Sequence, residues 1–226
     1  MSLGWKVVLQ AGGVLFAFGA ALFVTAGTLR YWEAWAFLGV WFVPGVFSFY
    51  YFYQHDRELV RRRMQSKEPI KEQKAIMKVA YVFFFAAFLV PGLDFRFGWT
   101  FTKAGGVPLW LKIVSLAMVL AGTLLTHWVM DVNRYAARTV QIEAGQRVIS
   151  TGPYRWVRHP MYSGIVVMML FAPLALGSYI ALPFFALTIP VMVMRLLNEE
   201  KVLREQLPGY VEYCGRTLYR LVPYVW

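Results

Sequence analysis

The 226-residue chain has a single cysteine, Cys214, so no disulfide can form within it, and a lone thiol without an adjacent histidine carries no nucleophile signature. Charge is scarce as well. Only 15% of the residues are Asp, Glu, Lys or Arg, against roughly 25% in soluble domains, while 59% are hydrophobic. That balance excludes an ordinary soluble globule. The apolar runs recur so evenly that no autonomous soluble domain fits between them. The first run lacks an A-x-A cleavage site and is longer than a secretion-signal core, so it reads as a span despite Lys6 in front of it. Acids and bases are absent from the middle of the runs, which argues against a transport relay.

What is present is a series of apolar runs of membrane-crossing length. A helix needs roughly 20 apolar residues to cross about 30 Å of hydrocarbon. Four runs qualify, about Trp5 to Leu29, Tyr31 to Tyr53, Ile76 to Phe95 and Pro108 to Met130. A fifth tract, Met161 to Leu197, is too long for one span and is interrupted by LGSY at 176 to 179, just after Pro173. It reads as a helical hairpin, giving six spans. Bilayer hydrocarbon offers backbone groups no water partner, so the predicted fold is all-α, a polytopic membrane helix bundle. Residues 1–130 are its four-span part and 131–226 its candidate catalytic part, within one structural domain.

Only Arg30, Arg96, Lys103 and Lys112 of the 23 Lys and Arg fall on one side of this topology. The positive-inside rule therefore predicts cytoplasmic N- and C-termini and cytoplasmic basic loops. The net charge of +11 sits beside spans, where it serves topology and attraction to lipid headgroups. A lipid bilayer is the expected partner, and nucleic acid is not. The loop 57–74, basic and helical before Pro69, reads as a connector on the lipid surface.

The stretch GPYRWVRHPMYSG, residues 152–164, places two arginines, a histidine and two tyrosines against the hairpin tract. Gly152-Pro153 marks a turn. Pro160 suits the first turn of a helix, whose free N–H groups and positive dipole end favour an anionic ligand group. Arg158 and His159 add donors there, and Gly164 allows close approach of a helix or a flat ligand. After the hairpin come Arg195, Asn198, Glu199 and Glu200, with Arg195 and Glu199 at i, i+4 spacing. The hairpin returns this acidic cluster to the basic one, an arrangement matched to a ligand bearing both an amino and a carboxylate group. Span-end anchoring is the bland alternative for the same residues. His127 and Asp131, also i, i+4, are candidates for acceptor binding or for a base. As two ligands they are too few for zinc, so no metal is expected. His55 beside Asp56 reads as a solvated loop residue, and Cys214 as packing.

GPYRWVRHPMYSG, the apolar hairpin and then RLLNEEKVLREQLPGYVEYCGRTLYRLVPYVW resemble the isoprenylcysteine carboxyl methyltransferase family of integral membrane enzymes, related to phospholipid methyltransferases. The resemblance covers about Asn133 to Trp226. It implies S-adenosylmethionine (SAM) as methyl donor in a cytosol-facing pocket, S-adenosylhomocysteine as product, and a lipophilic or small hydrophobic methyl acceptor arriving from the lipid side. By position it implies cofactor binding by Tyr154, Arg158, His159, Pro160, Tyr162, Gly164, Glu199, Glu200, Tyr210 and Tyr213. Arg195, Glu199 and His127 are the catalytic candidates. Gly152, Pro153 and Gly209 match the flanking turns, whereas Pro208 departs from the family pattern. Membrane sterol reductases, which use a nicotinamide cofactor, share an RHPxYxG-like element and a similar tail. They and a non-enzymatic membrane scaffold are the competing expectations.

Overall fold

A computed structural model describes residues 2–64, 71–135, 142 and 145–226. Its regular elements there are all helical: α1 (Leu3–Ala26), α2 (Trp32–His55), α3 (Arg57–Met64), α4 (Lys71–Phe97), α5 (Trp99–Ala104), α6 (Leu109–Val132), a 3-10 turn (Gly152–Arg155), α7 (Pro160–Ala175), α8 (Leu182–Ala186), α9 (Thr188–Gln206) and α10 (Tyr210–Arg216). Five described stretches are long and apolar enough to cross a membrane: Leu3–Ala26, Trp32–His55, Lys78–Phe97, Leu109–Val132 and Leu182–Gln206. The protein is a polytopic helical membrane protein.

The expected hairpin forms, but its limbs are unequal. The descending limb α7 has 16 residues and rises about 24 Å, less than the roughly 30 Å of hydrocarbon. The returning limb, α8 with α9, runs on past the apolar tract to Gln206, because its polar last turns are held by partners described below. At the turn Gly177 adopts φ 76°, a left-handed conformation that costs glycine nothing.

Polar pins fix this end of the bundle. Tyr31 at the start of α2 donates its hydroxyl to the carbonyl of Leu176. Lys112 of α6 reaches buried Glu33 of α2 at 2.6 Å, beside Gly177. Asp94, near the end of α4 and 3% exposed, accepts from the Thr100 backbone N–H at 2.7 Å and from the hydroxyls of Thr100 and Ser178. Asp94→Ala strands all three donors. Such a loss is on the order of 3 kcal/mol, or about 6–12 °C in melting temperature for a chain of this size. Thermal unfolding in detergent measures it, and a shift below a degree would mean the pin is idle.

Between the ends the core is aromatic. Phe18, Trp41, Phe84, Phe88 and Phe185 form a connected set from α1, α2, α4 and α8, with ring pairs such as Phe18 and Phe88 edge to face at 4.8 Å. Helices α6 and α7 pack along much of their length, and α1 lies against α4. The opposite end of the bundle, where α1 begins and α2, α6 and α9 finish, carries the site.

Candidate functional site

Local chemistry sets the entry of α7. The 3-10 turn starts at Gly152 with φ 57°, where a Cβ would meet Val132 Cγ2 at 2.9 Å. His159 is the N-cap residue of α7 and Pro160 its first residue, and no side chain caps this end. The amides of the first turn are therefore available to an outside acceptor. The backbone on the other side is already taken: Arg158 and His159 donate their N–H groups to the carbonyls of Tyr219 and Arg220 at 2.9 and 3.0 Å. The tail thus lies along the RHP segment like a short strap.

Helix α9 brings Glu199 and Glu200 to this place, but to different partners. Adjacent helix positions point about 100° apart. Glu200, 3% exposed, is surrounded by three guanidinium groups, Arg204 at 2.7 Å, Arg220 at 2.8 Å and Arg158 at 3.3 Å, with His159 Nε2 at 3.6 Å. It does not line the cavity at this end. Glu199 does, and its Oε2 accepts the Tyr162 hydroxyl at 2.7 Å while Arg195 Nε donates to the same hydroxyl oxygen at 2.9 Å. Tyr162 thereby fixes acid and cation of α9 to the first turn of α7.

The cavity holds about 960 Å³. Its polar end is lined by Arg158, His159, Glu199 and the tyrosines 154, 210 and 213, with Leu203 and Leu207 between them. Arg158 Nη1 donates to the carbonyls of Thr217 and Leu218, but its Nε is buried without a hydrogen-bond partner. Tyr154 accepts from Asn133 at 2.7 Å, Tyr213 donates to the Tyr154 carbonyl at 2.8 Å, and the Tyr210 hydroxyl lies 3.4 Å from His159 Nε2. Burial pushes the Tyr154 phenol up to about 12, and burial raises Tyr210 and Tyr213 further. All three are neutral hydrogen-bonding aromatics across the physiological range. The other end of the cavity is an apolar arm between α1, α2 and α4, lined by Val7, Ala11, Leu15, Trp41, Val46 and Phe84 among others.

Of the residues singled out in the sequence, Tyr154, Arg158, His159, Pro160, Tyr162, Arg195, Glu199, Tyr210, Tyr213 and His127 all line this one cavity. Gly164 does not. It meets the backbone of Gly122, so the close approach it permits is that of helix α6. His127 and Asp131 share a face of α6, but no hydrogen bond joins them, and His127 Nδ1 is buried without a partner. Cys214 packs with Leu207, Tyr210 and Tyr213, and burial raises its thiol pKa. His55 stays exposed, as read, with its ring on Tyr51. Asp56 has more to do, capping α3 through Leu59 N–H at 3.0 Å and pairing with Arg134 at 3.4 Å.

Sequence reasoning missed two contributors. Arg63, in the segment read as a mere connector, lines the cavity because α3 folds back with Leu59 and Val60 buried against Val7 and Phe52. The helical grouping of Leu59, Val60 and Met64 against the charged residues of RELVRRRM was the available signal. Arg220, the partner of Glu200, sits in an irregular tail with no periodicity to announce it. Among the described residues no group of three metal-ligating side chains occurs.

Fold and site together define a multi-pass helical membrane protein with an amphipathic internal cavity that is polar at one end and apolar at the other. Residues 113–205, the segment from α6 to α9, match the isoprenylcysteine carboxyl methyltransferase (ICMT) family. That segment holds His127, the RHPMYSG element and the Glu199-Glu200 pair, though not Tyr210 or Tyr213. An uncharacterized protein of Bacillus subtilis (strain 168), YpbQ, is 26% identical over 98 residues, which is 42% of this chain and 57% of that protein. The Delta(14)-sterol reductase TM7SF2 of Mus musculus is 31% identical over 91 residues, 39% of this chain and 22% of the reductase. The chain therefore spans little more than half of the first relative and about a fifth of the second.

Proposed function

We propose that the protein is an integral membrane methyltransferase that takes SAM at the polar end of the cavity and methylates a lipophilic acceptor lodged in the apolar arm. The observation that carries this reading is the pairing of charge across one cavity. Arg158, with its orphaned Nε, and the uncapped start of α7 form a pole for a carboxylate, and Glu199 faces them as a counter-charge for an ammonium. Glu199 Oε1 has no hydrogen-bond partner among the described residues, which leaves it able to accept from such a group. The flat rings of Tyr154, Tyr210 and Tyr213 and the apolar side chains of Leu203 and Leu207 suit a nucleoside, and none of them carries a charge. The ICMT match over the same segment supports the class of reaction.

When bound, SAM supplies a methyl group made electrophilic by its sulfonium. The protein's part is then positioning and dryness. Tyr162 locks Glu199 and Arg195 in one arrangement, so the α9 carboxylate does not have to be reorganised as substrate binds. The apolar arm excludes water and orients the acceptor along its length. By the distribution of Lys and Arg, this end of the bundle faces the cytoplasm, with both termini.

The nicotinamide alternative is kept in view by the partial likeness to a sterol reductase. Titrating S-adenosylhomocysteine and NADPH into detergent-purified protein separates the two. Saturable binding of S-adenosylhomocysteine without NADPH binding is expected, and the reverse overturns the reading. Glu199→Gln removes the ammonium's counter-charge and should weaken S-adenosylhomocysteine about 10-fold or more, since a hydrogen bond to a charged group is worth about 1.5–3 kcal/mol. Tyr162→Phe, which frees Glu199 and Arg195 from each other's fixed geometry, should give a smaller loss.

A further inference from the structure

His127 occupies an unusual place. It lines the main cavity together with Thr126, Tyr162 and Arg195, and it also lines an outward-facing groove of about 410 Å³ between α2 and α6. That groove is walled by Phe47, Tyr51 and Trp128, all exposed along the membrane-crossing faces of their helices. His127 is thus the partition between the interior and a slot on the outside of the bundle.

The polar groups around it are committed. Thr126 and Thr123 donate to carbonyls of their own helix, Tyr162 is held by Glu199 and Arg195, and Tyr154 by Asn133. His127 Nδ1 is buried and has no hydrogen bond, although Asp131 is only one turn away. A buried imidazole nitrogen without a partner is costly unless something else meets it. Of the buried nitrogens without a partner on His127 and Arg158, the imidazole can take a proton and the guanidinium can only donate, while Glu199, another proton acceptor of the lining, is held to Tyr162 through Oε2.

Resting on the methyl-transfer reading, we propose that His127 takes the proton of the methyl acceptor, and that the acceptor is a neutral protic head group on an apolar tail, a thiol or an acidic hydroxyl. A carboxylate is already a nucleophile and needs no base. An amine would enter as an ammonium beside Arg63, the charged neighbour of His127. A neutral S–H or O–H enters without that penalty, and the anion it becomes lies next to the guanidinium. In the step, the acceptor's X–H bond breaks and its proton goes to the imidazole. The X electron pair forms the bond to the methyl carbon, and the carbon–sulfur bond of the sulfonium donor breaks with its pair retained on sulfur, leaving a neutral thioether. The imidazolium then loses the proton to water. Other ionisable groups that share the cavity or the groove with the imidazole include Arg63 from α3, Tyr51 from α2, Tyr81 from α4, Asp131 on its own helix, His159 and Tyr162 at the start of α7, and Arg195 and Glu199 from α9.

The full chain in detergent, radiolabelled SAM and four long-chain probes test this: dodecanethiol, 4-dodecylphenol, dodecylamine and dodecanoate. Methylation of the thiol or phenol is expected, reduced about 100-fold or more in His127→Gln, with S-adenosylhomocysteine affinity unchanged. The wild-type rate should rise with pH along one curve shared by thiol and phenol, because the titrating group belongs to the protein. Transfer to dodecanoate or dodecylamine alone, or an unaltered rate in His127→Gln, overturns the assignment. Should His127→Gln lose S-adenosylhomocysteine binding through misfolding, the wild-type profile decides, and curves that follow each acceptor's own pKa overturn it. Transfer to no probe despite S-adenosylhomocysteine binding sinks the acceptor class alone, whereas absence of that binding in the wild type sinks the methyl-transfer reading beneath it.

Discussion

Replacing Glu200 by alanine is expected to destabilise the protein by about 3–5 kcal/mol, the usual penalty for removing one partner of a buried charge cluster. The carboxylate lies among Arg158, Arg204, Arg220 and His159, with Arg158 and His159 themselves nearly inaccessible. Without it the three guanidinium groups of Arg158, Arg204 and Arg220 lose the charge that holds them together and repel one another. The strap of the tail over the RHP segment then loses its anchor at Arg220, while its two backbone hydrogen bonds to Arg158 and His159 remain. The melting temperature in detergent should fall by about 6–20 °C, and proteolysis should begin within residues 217–226. Affinity for S-adenosylhomocysteine should fall too, although Glu200 does not line the cavity, because Arg158 and His159 do. Glu200→Gln, which keeps the shape but not the charge, should lie between alanine and wild type. A stable Glu200→Ala protein with an intact tail would show that the arginines carry no burden there.

This consequence could not be drawn from the sequence, where Glu199 and Glu200 look equivalent. Apolar run lengths revealed the spans, because hydrocarbon thickness imposes a length on every crossing helix. The hairpin was legible for the same reason, through LGSY and Pro173 in an over-long tract. The meeting of Tyr162 with Glu199 followed from the hairpin alone, since a chain that turns back must end beside its start. What stayed hidden depended on side-chain direction and on irregular backbone. One helix position separates Glu199 in the cavity from Glu200 among the arginines, and only the rotation of α9 against α7 decides which is which. Arg220 lies where no repeat or period exists to read. Arg63 reaches the cavity because α3 is amphipathic and folds back, a tertiary outcome that a basic connector does not advertise. The apolar arm draws on α1, α2 and α4, whose hydrophobicity is so uniform that a wall of a cavity and a face toward lipid look alike.

The second large effect concerns Gly122 and Gly164, where α6 and α7 cross. A Cβ on Gly122 would stand 2.6 Å from the Gly164 carbonyl oxygen and 2.8 Å from Met168 Cγ, and one on Gly164 would stand 2.8 Å from the Gly122 carbonyl oxygen. Backbone atoms cannot swing aside as a side-chain tip can, so any larger residue must drive the two helices apart. Small residues at such crossings are how membrane helices gain their packing, because lipid tails give no hydrophobic drive for association. Gly164→Ala should cost about 1–3 kcal/mol by overpacking, read as a fall of about 2–12 °C, and Gly164→Leu should yield little folded protein. The two alanine substitutions should not add, since both relieve or impose the same clash. Function should suffer beyond stability. Gly164 lies two residues from Tyr162 on α7, and Gly122 one turn from Thr126 and His127 on α6, so parting the helices displaces both walls of the cavity. Gly13→Ala on α1 is the control, because nothing lies within 4 Å of a Cβ there. It should leave melting unchanged or raise it slightly, as alanine favours helix over glycine by about 1 kcal/mol. Equal tolerance at Gly13 and Gly164 would mean that α6 and α7 do not cross at these glycines, and the cavity between them would have to be redrawn.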